Sequence, residues 1–133
     1  DKKIVLFSLP GAYTPTCSSQ QVPGYENRYE ELKKYVDEVY CLSVNDSFVM
    51  SAWFELKGIV NVKPLADGNC EFTHKIGAEC KKSNVGFGYR SWRYAVVVND
   101  GVIEKAFIED GYQDNAESDP YEISTPENLL ENL

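Results

Sequence analysis

Hydrophobic residues in this chain form two kinds of pattern, continuous runs and helical spacings, and these follow one another in a regular order. Residues 2–10, KKIVLFSLP, form an apolar run that ends at Pro10 and Gly11, which predicts a strand buried on both faces of a sheet. Apolar residues then recur every three or four positions over 16–36, which predicts a helix with a kink at Pro23. We therefore expect a strand that turns directly into a helix.

The next segments repeat this order. EVYCLSVN, residues 38–45, predicts a second buried strand, and the spacing over 49–56 predicts a helix capped by Asn45 or Asp46. VKPLAD, residues 62–67, predicts a short third strand. Alternating strands and helices favour a sheet with parallel strands.

The second half of the chain predicts a hairpin and a closing helix. A short helix is expected within 70–80 and a loop at 86–91, followed by strands 92–98 and 102–108 joined through a tight turn at 99–101. The start of a terminal helix is marked by Ser124, followed by Thr125 and by Pro126 at an early helical position, and Glu127 completes a capping-box pattern. The pattern as a whole predicts an α/β fold with a central mixed β-sheet flanked by helices, formed as a single domain over residues 1–133.

Composition narrows the class of protein. Hydrophobic residues make up 43% and charged residues 26% of the 133 residues, which is ordinary for one globular domain. The formal net charge of −8 disfavours nucleic acid and anionic membranes as partners. The apolar runs are too short to cross a bilayer. Four cysteines without a CxxC pair favour a reducing compartment, so we expect a cytoplasmic location.

One cysteine stands at the end of a constrained turn. PGAYTPTC, residues 10–17, places two prolines and a glycine between the first strand and the first helix, and ends at Cys17. Open α/β sheets bind ligands at such strand ends, and a helix N-terminus stabilises an anion such as a thiolate. Thr14 can direct its hydroxyl into the same pocket. An ordinary thiol is about 3% ionised at neutral pH, so full ionisation gains only roughly 30-fold in rate, and positioning and charge stabilisation must supply the rest.

Pro10, Thr14 and Cys17 match the PxxxTxxC motif of the peroxiredoxins. SVNDSFVMSAW, LADGNCEFT and FGYRSWRYAVVV resemble the peroxiredoxin 5 (type II) subfamily, and in particular the peroxiredoxin domain of bacterial peroxiredoxin–glutaredoxin hybrids. The resemblance extends over residues 3–133. It implies a thioredoxin-like fold that reduces hydrogen peroxide and alkyl hydroperoxides without a metal or a bound cofactor.

The resemblance also implies a role for each matching residue. Cys17 corresponds to the peroxidatic cysteine, which becomes a sulfenic acid, and Thr14 to the hydroxyl that hydrogen-bonds thiolate and peroxide. Pro10 shapes and shields the pocket. Arg93 corresponds to the arginine beside the thiolate, because it stands in the sequence WRY. Arg90 is expected to support the site from further away. If Arg93 proves to be only a surface residue, Arg90 takes over the role beside the thiolate.

Recycling and assembly follow from the same resemblance. Cys41 falls where plant-like members carry a second cysteine and is the candidate resolving cysteine, but we expect it to be buried in a strand. We therefore favour a one-cysteine cycle in which glutathione or a glutaredoxin reduces the sulfenic acid, with thioredoxin as the other thiol reductant. The resemblance further implies a homodimer, with aromatic loop residues as candidate contacts: Tyr13, Phe48, Phe87 and Tyr89. We expect the chain to lack the family's N-terminal β segment and a glutaredoxin domain to be lost or separate.

Three alternatives compete with this interpretation. Cys70, His74 and Cys80 invite a zinc site, but the set lacks a fourth ligand and its spacing fits no standard site. A thiol–disulfide oxidoreductase on the same fold is disfavoured because the run at Cys17 is CSSQ rather than CxxC. A non-catalytic interaction module that retains the fold is the third.

Overall fold

The structure, a computed structural model, describes residues 2–133. Five strands form the main sheet in the order β3-β2-β1-β6-β7, while β4 and β5 form a separate antiparallel pair. The strands in chain order are β1 (Lys3–Ser8), β2 (Glu38–Ser43), β3 (Lys63–Ala66), β4 (Glu79–Lys81), β5 (Tyr89–Ser91), β6 (Tyr94–Asn99) and β7 (Val102–Ile108). β1 pairs in parallel with β2 and antiparallel with β6, so the sheet is mixed, as expected.

The helices connect these strands. They are α1 (Val22–Asn27), α2 (Tyr29–Leu32), α3 (Ser47–Leu56), α4 (Glu71–Lys75) and α5 (Pro126–Glu131). A π-helical turn, Cys17–Gln21, precedes α1, and a 3₁₀ turn, Ser83–Val85, lies between β4 and β5. No helix within residues 2–133 has the length and apolar character needed to span a membrane.

The central strands are buried on both faces of the sheet. Val5 and Phe7 belong to the main core, which also contains residues of α1, α2, α3 and α5. The opposite face carries a smaller cluster made of Leu6, Leu42, Tyr94 and Val96, with Ala78 packed against it. Both faces of β1 are covered, and this explains why its sequence is a continuous apolar run.

The helix predicted over 16–36 is interrupted, and the backbone gives the reason. Pro23 has no N–H with which to continue an α-helical ladder, and it lies at the start of α1 directly after the π turn. In that turn the Val22 N–H bonds to the Cys17 carbonyl. A second break falls at Arg28, whose φ of −103° and ψ of 10° are not helical, and α2 ends at Leu32.

Two other predictions need correction. The segment 86–91, predicted as a loop, ends in the strand β5. This strand has only three residues and follows two glycines, Gly86 and Gly88, so the sequence alone does not indicate it, and it forms by pairing with the equally short β4. The terminal helix is capped by Thr125, whose hydroxyl accepts the Asn128 N–H at 3.1 Å. The Ser124 hydroxyl instead donates to Glu109.

Two predicted features are confirmed. The β6–β7 hairpin closes between Asn99 and Val102, and the two loop residues Asp100 and Gly101 have φ values of 51° and 82°, as a tight reversal requires. Of the two candidate caps of α3, Asp46 is the one used, since it accepts the N–H of Val49.

Candidate active site

Hydrogen bonds hold the turn after β1 in a shape that includes one strained backbone conformation. Tyr13 has a φ of 67°, in the left-handed region that a bulky residue rarely adopts. The Ala12 N–H donates to the side chain of Asn45 at 3.0 Å, which ties the turn to the end of β2. Helical backbone begins at Pro15, so Cys17 lies in its first turn, as predicted.

Cys17 and Arg93 are in direct contact. Arg93 Nη2 donates to Cys17 Sγ over 3.3 Å. The Cys17 side chain is 0% exposed and Arg93 is 1% exposed, so water screens this contact little. The guanidinium carries a permanent positive charge and lies directly beside the buried sulfur. The structure therefore brings together the two residues that the sequence placed 76 positions apart.

Two further side chains fix the Arg93 guanidinium. Arg93 Nε donates to Gln21 Oε1 at 2.7 Å, and Nη1 donates to Asp119 Oδ1 at 2.7 Å. Burial by itself lowers the pKa of Arg93, but Cys17 and Asp119 outweigh it and the net pKa lies above its ordinary value. Arg93 therefore stays charged and is held in one orientation towards the sulfur.

Arg90 lies on the other side of the turn. Its guanidinium donates to the Pro10 carbonyl at 3.0 Å and to the Phe87 carbonyl at 3.0 Å. Burial lowers the pKa of Arg90 and the nearby Cys17 opposes this effect. Arg90 thus contributes charge near Cys17 and supports the turn, while Arg93 makes the contact with sulfur.

The Thr14 hydroxyl is oriented by the turn itself. Its single hydrogen is donated to the Gly11 carbonyl at 2.7 Å. The expected hydrogen bond from Thr14 to the thiolate is therefore absent from the described geometry, because a hydroxyl has one hydrogen to give. The oxygen lone pairs remain available to accept a hydrogen bond from a ligand.

An open cleft of about 190 Å³ lies over this turn. Pro10, Thr14 and Phe87 are among the residues that line it. Lys82 and Asp119 also line it. Asp119, which contacts Arg93 directly, connects the cleft to the buried pair of Arg93 and Cys17.

The other three cysteines lie in environments that favour the thiol. Cys41 is fully buried in β2, as expected, and burial, with a contribution from Cys17, raises its pKa well above the ordinary value. Burial raises the pKa of Cys80 to about 11. Burial also raises the pKa of Cys70, and Glu79 adds to this effect. His74, which stands between Cys70 and Cys80 in the sequence, has its Nδ1 3.3 Å from a carboxylate oxygen of Glu79.

Sequence reasoning missed two residues that support the site. Gln21 follows Cys17 by four positions, so helical spacing alone could have placed it beside the same pocket. Asp119 lies in an irregular segment, 109–125, with no periodic pattern to direct attention to it. Neither residue belongs to the sequence motifs that resemble those of the peroxiredoxins, although both accept hydrogen bonds from Arg93.

A buried cysteine is thus held against a guanidinium at the end of β1, a strand that pairs in parallel with β2 in an α/β fold. Residues 1–122 match the profile of the redoxin family. The chain is 57% identical over 133 residues to peroxiredoxin y4vD of Sinorhizobium fredii, an alignment that covers 99% of the chain and 71% of the relative.

Solved structures give the same result. The antioxidant protein (1-Cys peroxiredoxin) of Plasmodium falciparum matches with a TM-score of 0.94 at 41% identity, covering 98% of this chain and 77% of that one. Reduced Prx3 of Vibrio vulnificus in complex with hydrogen peroxide matches with a TM-score of 0.90 at 41% identity, covering 99% and 82%. The chain belongs to the redoxin family, and within it to the peroxiredoxins. Its fold is thioredoxin-like, and it is a thiol-dependent peroxidase.

Proposed function

We propose that Cys17 is the peroxidatic nucleophile and that Arg93 stabilises both its thiolate and the departing oxygen. The observation that carries this proposal is the 3.3 Å contact between Arg93 Nη2 and Cys17 Sγ. Both side chains are shielded from solvent at this contact. Arginine cannot lose its proton at neutral pH, so this charge is present throughout the reaction.

The reaction is a displacement at oxygen. The Cys17 thiolate attacks one peroxide oxygen, the O–O bond breaks, and the product is a cysteine sulfenic acid plus an alkoxide or hydroxide. The departing anion takes a proton from solvent and leaves as alcohol or water. Arg93 is placed to stabilise the negative charge as it moves from sulfur to oxygen.

Thr14 and Pro10 act on the peroxide rather than on the sulfur. Since the Thr14 hydrogen is bonded to Gly11, its oxygen accepts a hydrogen bond from the peroxide O–H and so orients the O–O bond. Pro10 lines the cleft and limits the water that reaches Cys17.

The substrates are hydrogen peroxide and alkyl hydroperoxides. The open cleft over the turn leaves room for an alkyl group beyond the reacting oxygens. The Vibrio vulnificus neighbour was solved in complex with hydrogen peroxide, which supports the smaller substrate.

The variant Cys17→Ser tests the assignment. The indole of Trp53 donates to the hydroxyl of Ser18, next to Cys17, so stopped-flow tryptophan fluorescence can follow the reaction. We expect Cys17→Ser to lose the rapid peroxide-dependent change and all turnover while it keeps the fold, whereas the matched variant Cys70→Ser keeps both. Appreciable turnover in Cys17→Ser would reject the mechanism.

We also infer a one-cysteine cycle. Cys41 is a fully buried residue of β2, paired in register with Phe7 and Pro64, and its raised pKa keeps it a thiol. A bridge to Cys17 would require the helical start to unwind. A thiol from glutathione or a glutaredoxin therefore attacks the sulfenic sulfur, releases water and forms a mixed disulfide, and a second thiol then regenerates Cys17. The Plasmodium falciparum neighbour is described as a 1-Cys peroxiredoxin.

Intact mass under denaturing, non-reducing conditions separates the two cycles. After one equivalent of peroxide and then glutathione, we expect a glutathione adduct on Cys17. A monomer lighter by two hydrogens, with a Cys17–Cys41 bridge formed at the rate of turnover, would replace this scheme with a two-cysteine one.

A homodimer is the proposed assembly. Of the four aromatic candidates, only Phe87 lines the cleft, and Tyr13 lies in the turn after β1. The expectation that all four are loop residues is wrong, because Phe48 belongs to α3 and Tyr89 to β5. Phe48 is the most exposed of them at 85%. Tyr13 and Tyr89 are about half exposed, and Phe87 is partly buried. Light scattering that gives a monomer at high concentration would contradict this assembly.

A further inference from the structure

Lys82 is a largely buried lysine, and no acidic side chain within residues 2–133 forms a salt bridge with it. The residue is only 6% exposed. Among residues 2–133, no hydrogen bond or salt bridge reaches its ammonium group. Lysine is almost never this buried unless it is paired. The neighbouring Lys81, by contrast, is exposed.

An aromatic ring compensates for part of this burial. The Lys82 Nζ lies 5.3 Å from the centre of the Trp92 ring, within the range of a cation–π interaction. Trp92 is itself fixed because its indole donates to the Glu109 carbonyl at 2.7 Å. The ring supplies no formal negative charge. The Lys82 side chain is largely buried, but its ammonium group is not fully enclosed, so an anion in the cleft can contact an ammonium that the surrounding residues already hold in place.

Lys82 lines the same cleft as the residues around Cys17. Pro10, Thr14 and Phe87 share this cleft with it. Two acids also line the cleft, but neither neutralises Lys82: Asp119 is paired with Arg93, and Glu117 is exposed to solvent. The cleft therefore contains an unpaired lysine together with two residues of the turn that ends at Cys17, Pro10 and Thr14.

We propose that Lys82 binds the carboxylate of the small molecule that reacts at Cys17, and so determines specificity for carboxylate-bearing substrates. The proposal rests on the assignment of Cys17 as the nucleophile. A carboxylate can bond to an ammonium while the rest of the molecule extends along the cleft. Two sources of this chemistry reach Cys17 in turn: a hydroperoxide that carries a carboxylate, and glutathione, which carries two.

The test compares each acid with its own ester. In one arm, stopped-flow kinetics gives the rate constant for Cys17 oxidation by a carboxylate-bearing alkyl hydroperoxide and by its methyl ester. In the other arm, the rate constant for reduction of the sulfenic acid is measured with glutathione and with its diethyl ester. Hydrogen peroxide serves as the reference oxidant in every protein. The proteins are wild type, Lys82→Gln, Lys82→Arg and the matched control Lys81→Gln.

We expect wild type to prefer the acid over the ester by roughly tenfold in at least one arm, the size of one charge-assisted hydrogen bond. Lys82→Gln should abolish this preference, while Lys82→Arg and Lys81→Gln keep it. If Lys82→Gln loses the acid preference in the oxidation arm, the carboxylate that Lys82 binds belongs to the peroxide. If it loses the preference in the reduction arm, the carboxylate belongs to glutathione.

The opposing results are distinct. A wild type that prefers neither acid overturns the proposal without relying on the stability of any variant. An acid preference that survives in Lys82→Gln, or that Lys81→Gln loses equally, also overturns it. If hydrogen peroxide does not oxidise Cys17 at all, the nucleophile assignment fails and this proposal fails with it.

Discussion

Arg93 is a fully buried cation whose position is determined by three different partners. Gln21 holds Nε, Asp119 holds Nη1, and the remaining nitrogen, Nη2, faces Cys17. Asp119 also lies 3.2 Å from Nη2, so the carboxylate and the sulfur share one donor. An arginine serves here better than a lysine, because only a planar fork can meet all of these acceptors at once.

Replacement of Arg93 should slow peroxide reduction more than any change at Arg90. We expect Arg93→Ala to lower the second-order rate constant for hydrogen peroxide by about 100-fold, the scale of losing one charge-stabilising donor. Arg93→Lys keeps the charge without the fork and should lose less. Arg28, which is partly buried and pairs with Glu31 and Glu127, gives a control variant, Arg28→Ala, with a near-normal rate. An unaffected Arg93→Ala would transfer the role to Arg90.

The guanidinium of Arg90 occupies the space where a side chain at Gly11 would lie. A Cβ added at Gly11 would lie 2.5 Å from Arg90 Nη1 and 3.3 Å from the Thr14 methyl group. We expect Gly11→Ala to displace the Arg90 guanidinium from the Pro10 carbonyl and to slow the reaction with peroxide about tenfold, since misplaced groups cost rate steeply. The measurement is the same stopped-flow rate constant.

Gly24, within α1, provides the matched control for this prediction. A Cβ there would meet only ordinary contacts, the nearest being the Tyr121 hydroxyl at 3.5 Å. Gly24→Ala should therefore leave the rate constant close to wild type. Equal rates for both variants would show that the turn tolerates a side chain at Gly11.

At the scale of elements, one carboxylate joins α2, β2 and β3. Glu38 accepts the Tyr29 hydroxyl at 2.7 Å and pairs with Lys63 at 2.9 Å. Burial alone would raise the pKa of Glu38, but Lys63 and Tyr29, together with the Val39 N–H, lower it from 4.5 to about 2. Burial and the bond to Glu38 raise the pKa of Tyr29 to about 12.

This shift predicts a loss of stability in acid. A carboxyl whose pKa is lower in the folded state stabilises the fold at a pH above its unfolded value, and the contribution disappears as pH falls from about 4.5 towards 2. Glu38→Gln should lower the free energy of unfolding by about 1 to 2 kcal/mol near neutral pH, after a discount for the exposed Lys63.

Urea unfolding of wild type and Glu38→Gln across this pH range measures the effect. The difference between the two proteins should be largest near neutral pH and should vanish at the acid end. Glu31→Gln removes a partner from an exposed pair and should change stability little at any pH. A difference that stays constant down to the acid limit would contradict the account.

At the scale of the whole molecule, long apolar runs and the tight hairpin were predictable from the sequence. β1 and the β6–β7 pair follow directly from their patterns, because burial on both faces and a two-residue loop leave few alternatives. Short elements were not predictable. β4 and β5 have three residues each and form mainly because they pair with each other, which is a non-local cause.

The candidate site also has parts that could be predicted from the sequence and parts that could not. The turn from Pro10 to Cys17 is local, so its motif was readable in the sequence. Arg93 required the resemblance to choose it over Arg90, since spacing left both open. Asp119 was not accessible to sequence reasoning, because its contact with Arg93 joins residues 26 positions apart through an irregular segment.

The central claim is that Cys17, and not another thiol, reduces the peroxide. The most direct test treats the protein with less than one equivalent of hydrogen peroxide, traps sulfenic acid with a carbon nucleophile, and maps the adduct by peptide mass spectrometry. We predict the adduct on Cys17, with Cys41, Cys70 and Cys80 unmodified, and loss of the adduct in Arg93→Ala at the same reaction time. An adduct on Cys70 or Cys80 with Cys17 unmodified would contradict the account.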